Sequence, residues 1–143
     1  GQRGLAINSG STEVLRVTFD GKIGIGTTNP EGDVDIGEQF SIKTTTTAVS
    51  STTATTVDSL PIATYRSSRF QVQITQGTDY QSADLMVIHD GTTATLIEYG
   101  SIATANMLAT FTSTISGSNL VLQVNMGSSS SATVKVVRYG ISI

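Results

Sequence analysis

The chain has one imidazole, His89, and Asp90 follows it directly. Any Ser-His-Asp relay within one copy would have to use His89, and no Gly-x-Ser-x-Gly elbow is present to display a serine. If three copies met on a threefold axis, three His89 side chains would suit a metal. The plainer reading is a turn histidine beside a hairpin Asp-Gly. Glu31, Asp33, Asp35 and Glu38 supply hard oxygen atoms of the kind calcium takes, and alternation would put Asp33 and Asp35 on one face. The spacing is not that of an EF-hand. A solvated acidic edge that discourages stray strand pairing is therefore expected, with no metal or other cofactor assigned. Paired carboxylates for glycoside hydrolysis depend on a separation that only tertiary structure sets. The Gly24 and Gly26 spacing resembles part of a phosphate loop, but the lysine and helix such a loop needs do not follow. Tyr65, Tyr80, Tyr99 and Tyr139 are the tyrosines. The first three are the candidate sugar contacts, set against the ordinary reading of core or rim aromatics.

These residues need a scaffold, and the composition points to strands. Serine and threonine are abundant, charged residues make up 13%, and the net charge is −3. β-Branched threonine packs well on a pleated surface. No 3.6-residue apolar period is sustained. Cysteine is absent, so disulfides and thiolate metal sites are excluded. Apolar runs such as Leu85-Met86-Val87-Ile88 are too short to span a membrane. Residues 1–40 carry Arg3, Arg16 and Lys22 against six carboxylates, and no basic stripe exists, so neither nucleic acid nor membrane is an expected partner.

Taken in order, Leu5–Ile7 is a short extended piece and Glu13–Phe19 alternates as a half-buried strand. Asp20-Gly21 suits a two-residue hairpin turn with positive φ at both positions. Ile23–Ile25 and Val34–Ile36 are short strands separated by Asn29-Pro30. A 40-residue segment this thin in apolar content rarely folds alone. Residues 41–57 are a polar strand pair or a connection, with strands favoured. Residues 58–143 contain six or seven strands at sandwich spacing. The run around Leu85–Ile88 suggests a strand buried on both sides, and Met107, Ala109, Phe111 and Ile115 share one face of another. The expected fold is all-β: a short N-terminal shaft-like segment (1–40), a connection (41–57) and an antiparallel, jelly-roll-like β-sandwich (58–143).

The stretch DGKIGIGTTNPEGDVDIG resembles a module repeated in phage tail fibres and related trimeric virion proteins. Residues 21–30 match it position by position, and Val34-Asp35-Ile36 fills its later strand. Tyr65 to Ile141 is similar to a β-domain of structural proteins from tailed phages of marine cyanobacteria. The resemblance implies a homotrimer, with Ile23, Gly24, Ile25 and Gly26 at the junction between chains. It also implies a virion location, other virion proteins as partners and a host cell-surface glycan as a target. The expected function is that of a non-enzymatic, tail-fibre-like structural protein serving host attachment. The alternatives are a capsid or collar decoration protein, and a small polysaccharide depolymerase or lectin-like module.

Overall fold

Alternating patterns of this kind form half-buried strands, and the computed structural model, which describes residues 4–143, contains twelve of them. Arg3 lies outside the described residues. The strands are β1 Leu5–Ser9, β2 Thr12–Val17, β3 Ile23–Ile25, β4 Val34–Ile36, β5 Phe40–Val49 and β6 Thr55–Pro61. Then come β7 Tyr65–Gln76, β8 Asp79–His89, β9 Ala94–Ala103, β10 Ala109–Ser116, β11 Asn119–Met126 and β12 Ala132–Ser142.

Nine strands form one sheet in the order β1-β2-β3-β4-β5-β12-β7-β8-β9, and β10-β11-β6 form a second. All pairings are antiparallel except β3 with β4. The jelly-roll-like expectation takes an unequal form, with the three-stranded sheet covering only part of the large one. Residues 41–57 are β5, a turn and the start of β6. Because β5 pairs with β4 on one side and β12 on the other, the N-terminal segment continues the sandwich's own sheet.

The core lies between the sheets. Phe70, Val72 and Ile74 of β7, Leu85 and Val87 of β8, and Val134 and Val136 of β12 face Leu60, Leu120, Leu122 and Val124. Burial like this contributes roughly 25 cal/mol per Å² of apolar surface removed from water. Two polar bridges cross the core. Arg138 Nη1 donates to Asp58 Oδ2 at 2.8 Å, joining β12 to β6. Gln81 of β8 accepts from the Leu108 and Ala109 N–H groups at 2.6 and 2.9 Å and donates to the Ala109 carbonyl at 3.1 Å.

Three local expectations change. Asp20-Gly21 is not a two-residue turn. A five-residue loop runs between the paired Val17 and Ile23, and only Gly21 has positive φ. The Thr18 hydroxyl accepts from the Lys22 N–H at 2.9 Å and closes it. Strand β8 is buried on one side only, since Met86 and Ile88 point to an uncovered face. Met107 precedes β10 and is exposed, because the chain still turns at that point.

Candidate functional site

Residues paired across a ladder point to the same side of a sheet. Following one row gives Leu5, Val17, Ile23, Val34, Ile42, Tyr139, Arg69, Met86 and Ile97. A second row gives Ile7, Leu15, Ile25, Ile36, Phe40, Ile141, Ser67, Ile88 and Thr95. Together they lay an apolar band across all nine strands, on the face opposite the three-stranded sheet. Among the described residues no second layer covers it. Leu5, Ile7, Ile25, Ile36, Met86, Ile88, Ile97 and Ile141 are exposed. Phe40 and Tyr139 stack diagonally within the band at 6.3 Å between ring centroids. Its one cation, Arg69, is held by Asp84, with Nε donating to Oδ1 at 2.9 Å. That bond is the main cause that holds the Asp84 carboxyl below its usual range.

Beyond the band the same face turns polar, with Thr44, Thr46, Lys135, Gln71, Gln73 and Ser82 in register. Tyr80 lies at its edge, beside a shallow 260 Å³ cleft shared with Gln73 and Ile102. Tyr99 sits in the bulge opposite Asp84 and Leu85 and is 63% exposed.

Tyr65 must be removed from the sugar contacts, because it is 1% exposed. Its ring lies where a Cβ on Gly140 would stand, 2.7 Å away, and its hydroxyl accepts from Ser41 Oγ at 2.7 Å. Burial is the main cause that pushes its phenol above the usual value.

The junction residues divide between two faces. Ile23 and Ile25 lie on the open band. Gly24 points the other way and is buried by its own chain, since a Cβ there would meet the Thr27 carbonyl oxygen at 2.6 Å. Gly26 has φ +69°, and its N–H donates to the Val14 carbonyl at 3.1 Å. Both glycines therefore serve a turn within one chain. Thr27 is the centre of that turn: its hydroxyl donates to Glu38 Oε1 at 3.1 Å and accepts from the Asn29 N–H at 3.1 Å.

His89 is buried and its two nitrogens are committed. Nδ1 accepts from the Gly91 N–H at 3.0 Å and Nε2 lies 2.6 Å from the Tyr65 carbonyl, to which it donates. This tautomer leaves no lone pair free, so the threefold metal arrangement is ruled out for this conformation. The acidic group also separates. Asp33 Oδ2 accepts from the Thr44 N–H and hydroxyl, both at 2.7 Å. Asp35 is buried, not solvated. It lies on the same face as Gly24 and Ser41, at a cleft that Glu31 and Glu38 also line.

Gln81 and Arg138 were not legible as bridging residues. Their only sequence signal is parity: Gln81 shares the inward face of β8 with Ala83 and Leu85, and Arg138 shares that of β12 with Val134 and Val136.

No protein-family profile matches the sequence, and no curated protein is similar to it. Solved structures of similar shape include three phage tailspike proteins. The Acinetobacter baumannii phage AM24 tailspike protein matches over 75% of this chain and 27% of its own, at 8% identity and TM-score 0.48. The Acinetobacter phage vB_ApiP_P1 tailspike protein matches over 68% and 20%, at 18% identity and TM-score 0.39. The tailspike protein gp49 of Acinetobacter baumannii bacteriophage Fri1 matches over 73% and 18%, at 16% identity and TM-score 0.42. The chain thus spans about a quarter or less of each of these proteins. The last is described as a capsular polysaccharide depolymerase. On that finding the expectation of a non-enzymatic protein is withdrawn.

Proposed function

We propose that this chain is a module of a bacteriophage tail fibre or spike, that it assembles as a homotrimer in the virion, and that it serves attachment to the host surface. The observation that carries the reading is the open apolar band. Large contiguous apolar surface is unusual on a monomer and marks an interaction site. The occupant that fits is another copy of the same chain. The band is nearly uncharged, so it offers no electrostatic address for a charged partner, and its one cation is already matched by Asp84. It also contains Ile23 and Ile25, the apolar positions of the Gly21–Pro30 stretch that resembles the tail-fibre module. The polar part of the face, with Tyr80 and Tyr99, is then left at the margin for glycan contact. Three copies would multiply weak contacts there through effective concentration.

Light scattering on the purified chain at micromolar concentration tests the assembly. A trimer that Ile25→Lys converts to monomer, with the sandwich still folded, is the expected result. A stable monomer of the parent chain overturns it. Antibodies against the chain should decorate the tails of intact particles; decoration confined to capsid or collar overturns the tail assignment.

A further inference from the structure

A cleft of about 320 Å³ lies where the N-terminal segment meets the end of the sandwich. Asn29, Glu31, Asp35 and Glu38 line it from one side, and Thr64 and Ser142 from the other. Among the described residues, no lysine, arginine or histidine lines it. Asp35 is 4% exposed. Its Oδ2 accepts from the Glu31 N–H at 3.1 Å, but its Oδ1 is buried with no hydrogen-bond partner. A buried carboxylate oxygen is almost always paired, because losing water without a replacement is costly. The missing partner must therefore bring positive charge or a donor into a cleft that already holds three carboxylates.

The other donors are also half used. Glu31 Oε1 accepts from Asn29 Nδ2 at 3.2 Å and Glu38 Oε1 accepts from Thr27 Oγ1 at 3.1 Å. In each carboxylate the second oxygen remains, and Asn29 keeps its amide carbonyl. Every candidate ligand is a hard oxygen, which selects calcium or magnesium over zinc or copper. Among the described residues no three acidic or histidine side chains already converge on one point. A rigid octahedral ion would be poorly served by that arrangement. Calcium accepts six to eight oxygens in loose geometry and completes its shell with water and carbonyls.

We propose that this cleft binds Ca²⁺, with Asp35 as the inner ligand and Glu38 as the second carboxylate. The ion fastens residues 27–38 to the β6–β7 turn and to the end of β12. It thereby sets the angle at which the N-terminal segment leaves the sandwich.

Titration calorimetry on the EDTA-treated chain tests this, using CaCl₂, MgCl₂ and NaCl at matched ionic strength. The expected result is saturable Ca²⁺ binding with one ion per chain, weaker Mg²⁺ binding, and a melting temperature raised by Ca²⁺. Asp35→Asn and Glu38→Gln should each weaken binding at least tenfold. Asp33→Asn should leave it unchanged, since Asp33 is engaged with Thr44 outside the cleft. Should Asp35→Asn fail to fold, Glu38→Gln on the exposed rim carries the same test. No saturable Ca²⁺ heat, or binding unaltered by Glu38→Gln, overturns the proposal. So does Mg²⁺ binding as tight as Ca²⁺ binding.

Discussion

Arg138 and Asp58 lie 80 residues apart and form an ion pair with side-chain exposures of 2% and 1%. It is the one ion pair among the described residues with both partners buried. It ties the large sheet to the small one at the end of the core where Tyr65 also lies. The Arg138 guanidinium sits 5.3 Å from the Tyr65 ring centroid and donates a second bond to the Ser59 carbonyl at 3.2 Å. Geometry, rather than net attraction, is what such a pair secures, because its desolvation offsets much of the Coulomb gain.

Removing one partner should therefore cost far more than removing both. Asp58→Ala strands a buried guanidinium and is expected to destabilise by about 3–5 kcal/mol. The double variant Asp58→Leu with Arg138→Met should recover most of that. Urea unfolding of the three proteins measures the difference. A double variant as unstable as Asp58→Ala would show that the loss comes from packing.

Gln81 has the same structural role in a neutral form. Gln81→Leu keeps the approximate volume but leaves the Leu108 and Ala109 N–H groups and the Ala109 carbonyl without their partner. Unsatisfied buried groups cost about 1–3 kcal/mol each. A loss of at least about 3 kcal/mol in unfolding free energy is expected, with early hydrogen exchange at the start of β10.

Glycine substitutions should separate by location. Gly140→Ala drives a methyl into the Tyr65 ring, so overpacking of about 1–3 kcal/mol should lower the melting temperature of the sandwich. Gly24→Val collides with the Thr27 carbonyl and should loosen residues 23–38 first. Limited proteolysis should then cut that segment while the sandwich survives. Equal resistance to the parent would mean that the turn around Thr27 can yield.

Ile25→Lys is the complementary case. Ile25 is exposed in a single copy, so the change should alter monomer stability by no more than about 0.5 kcal/mol. In an assembled trimer it would bury an unpaired ammonium. Loss of assembly with an unchanged sandwich melt at high dilution is expected.

Acid should reveal the hairpin at Asp90. Hydrogen bonds from the Thr92 and Thr93 N–H groups hold its carboxyl down from 3.8 to about 2. A depressed carboxyl stabilises the fold fully above its unfolded value and loses that contribution as pH falls through the folded one. Thermal stability should thus decline between roughly pH 4 and 2, and Asp90→Ala should flatten that limb while lowering stability near neutrality. A limb unchanged in the variant would assign it to other carboxylates.

The sequence alone determined much of this protein. Alternation of Phe70, Val72 and Ile74 and of Leu120, Leu122, Val124 and Met126 placed β7 and β11 with their inward faces, because a two-residue period ties side-chain direction to backbone position. Gly10, Gly77 and Gly117 marked turns, and each adopts the positive φ that glycine tolerates. Tertiary structure decided the rest. Ile23 and Ile25 join the exposed band only because β4 and β5 carry the N-terminal segment into the sandwich sheet. Asp33 and Asp35 look equivalent in sequence, yet one accepts from Thr44 and the other is buried at the cleft. Tyr65 reads in sequence as a sugar contact or as a core or rim aromatic, and it is buried because Gly140 leaves room for its ring. Each of these depends on which strand becomes a neighbour, a long-range outcome that local spacing does not encode.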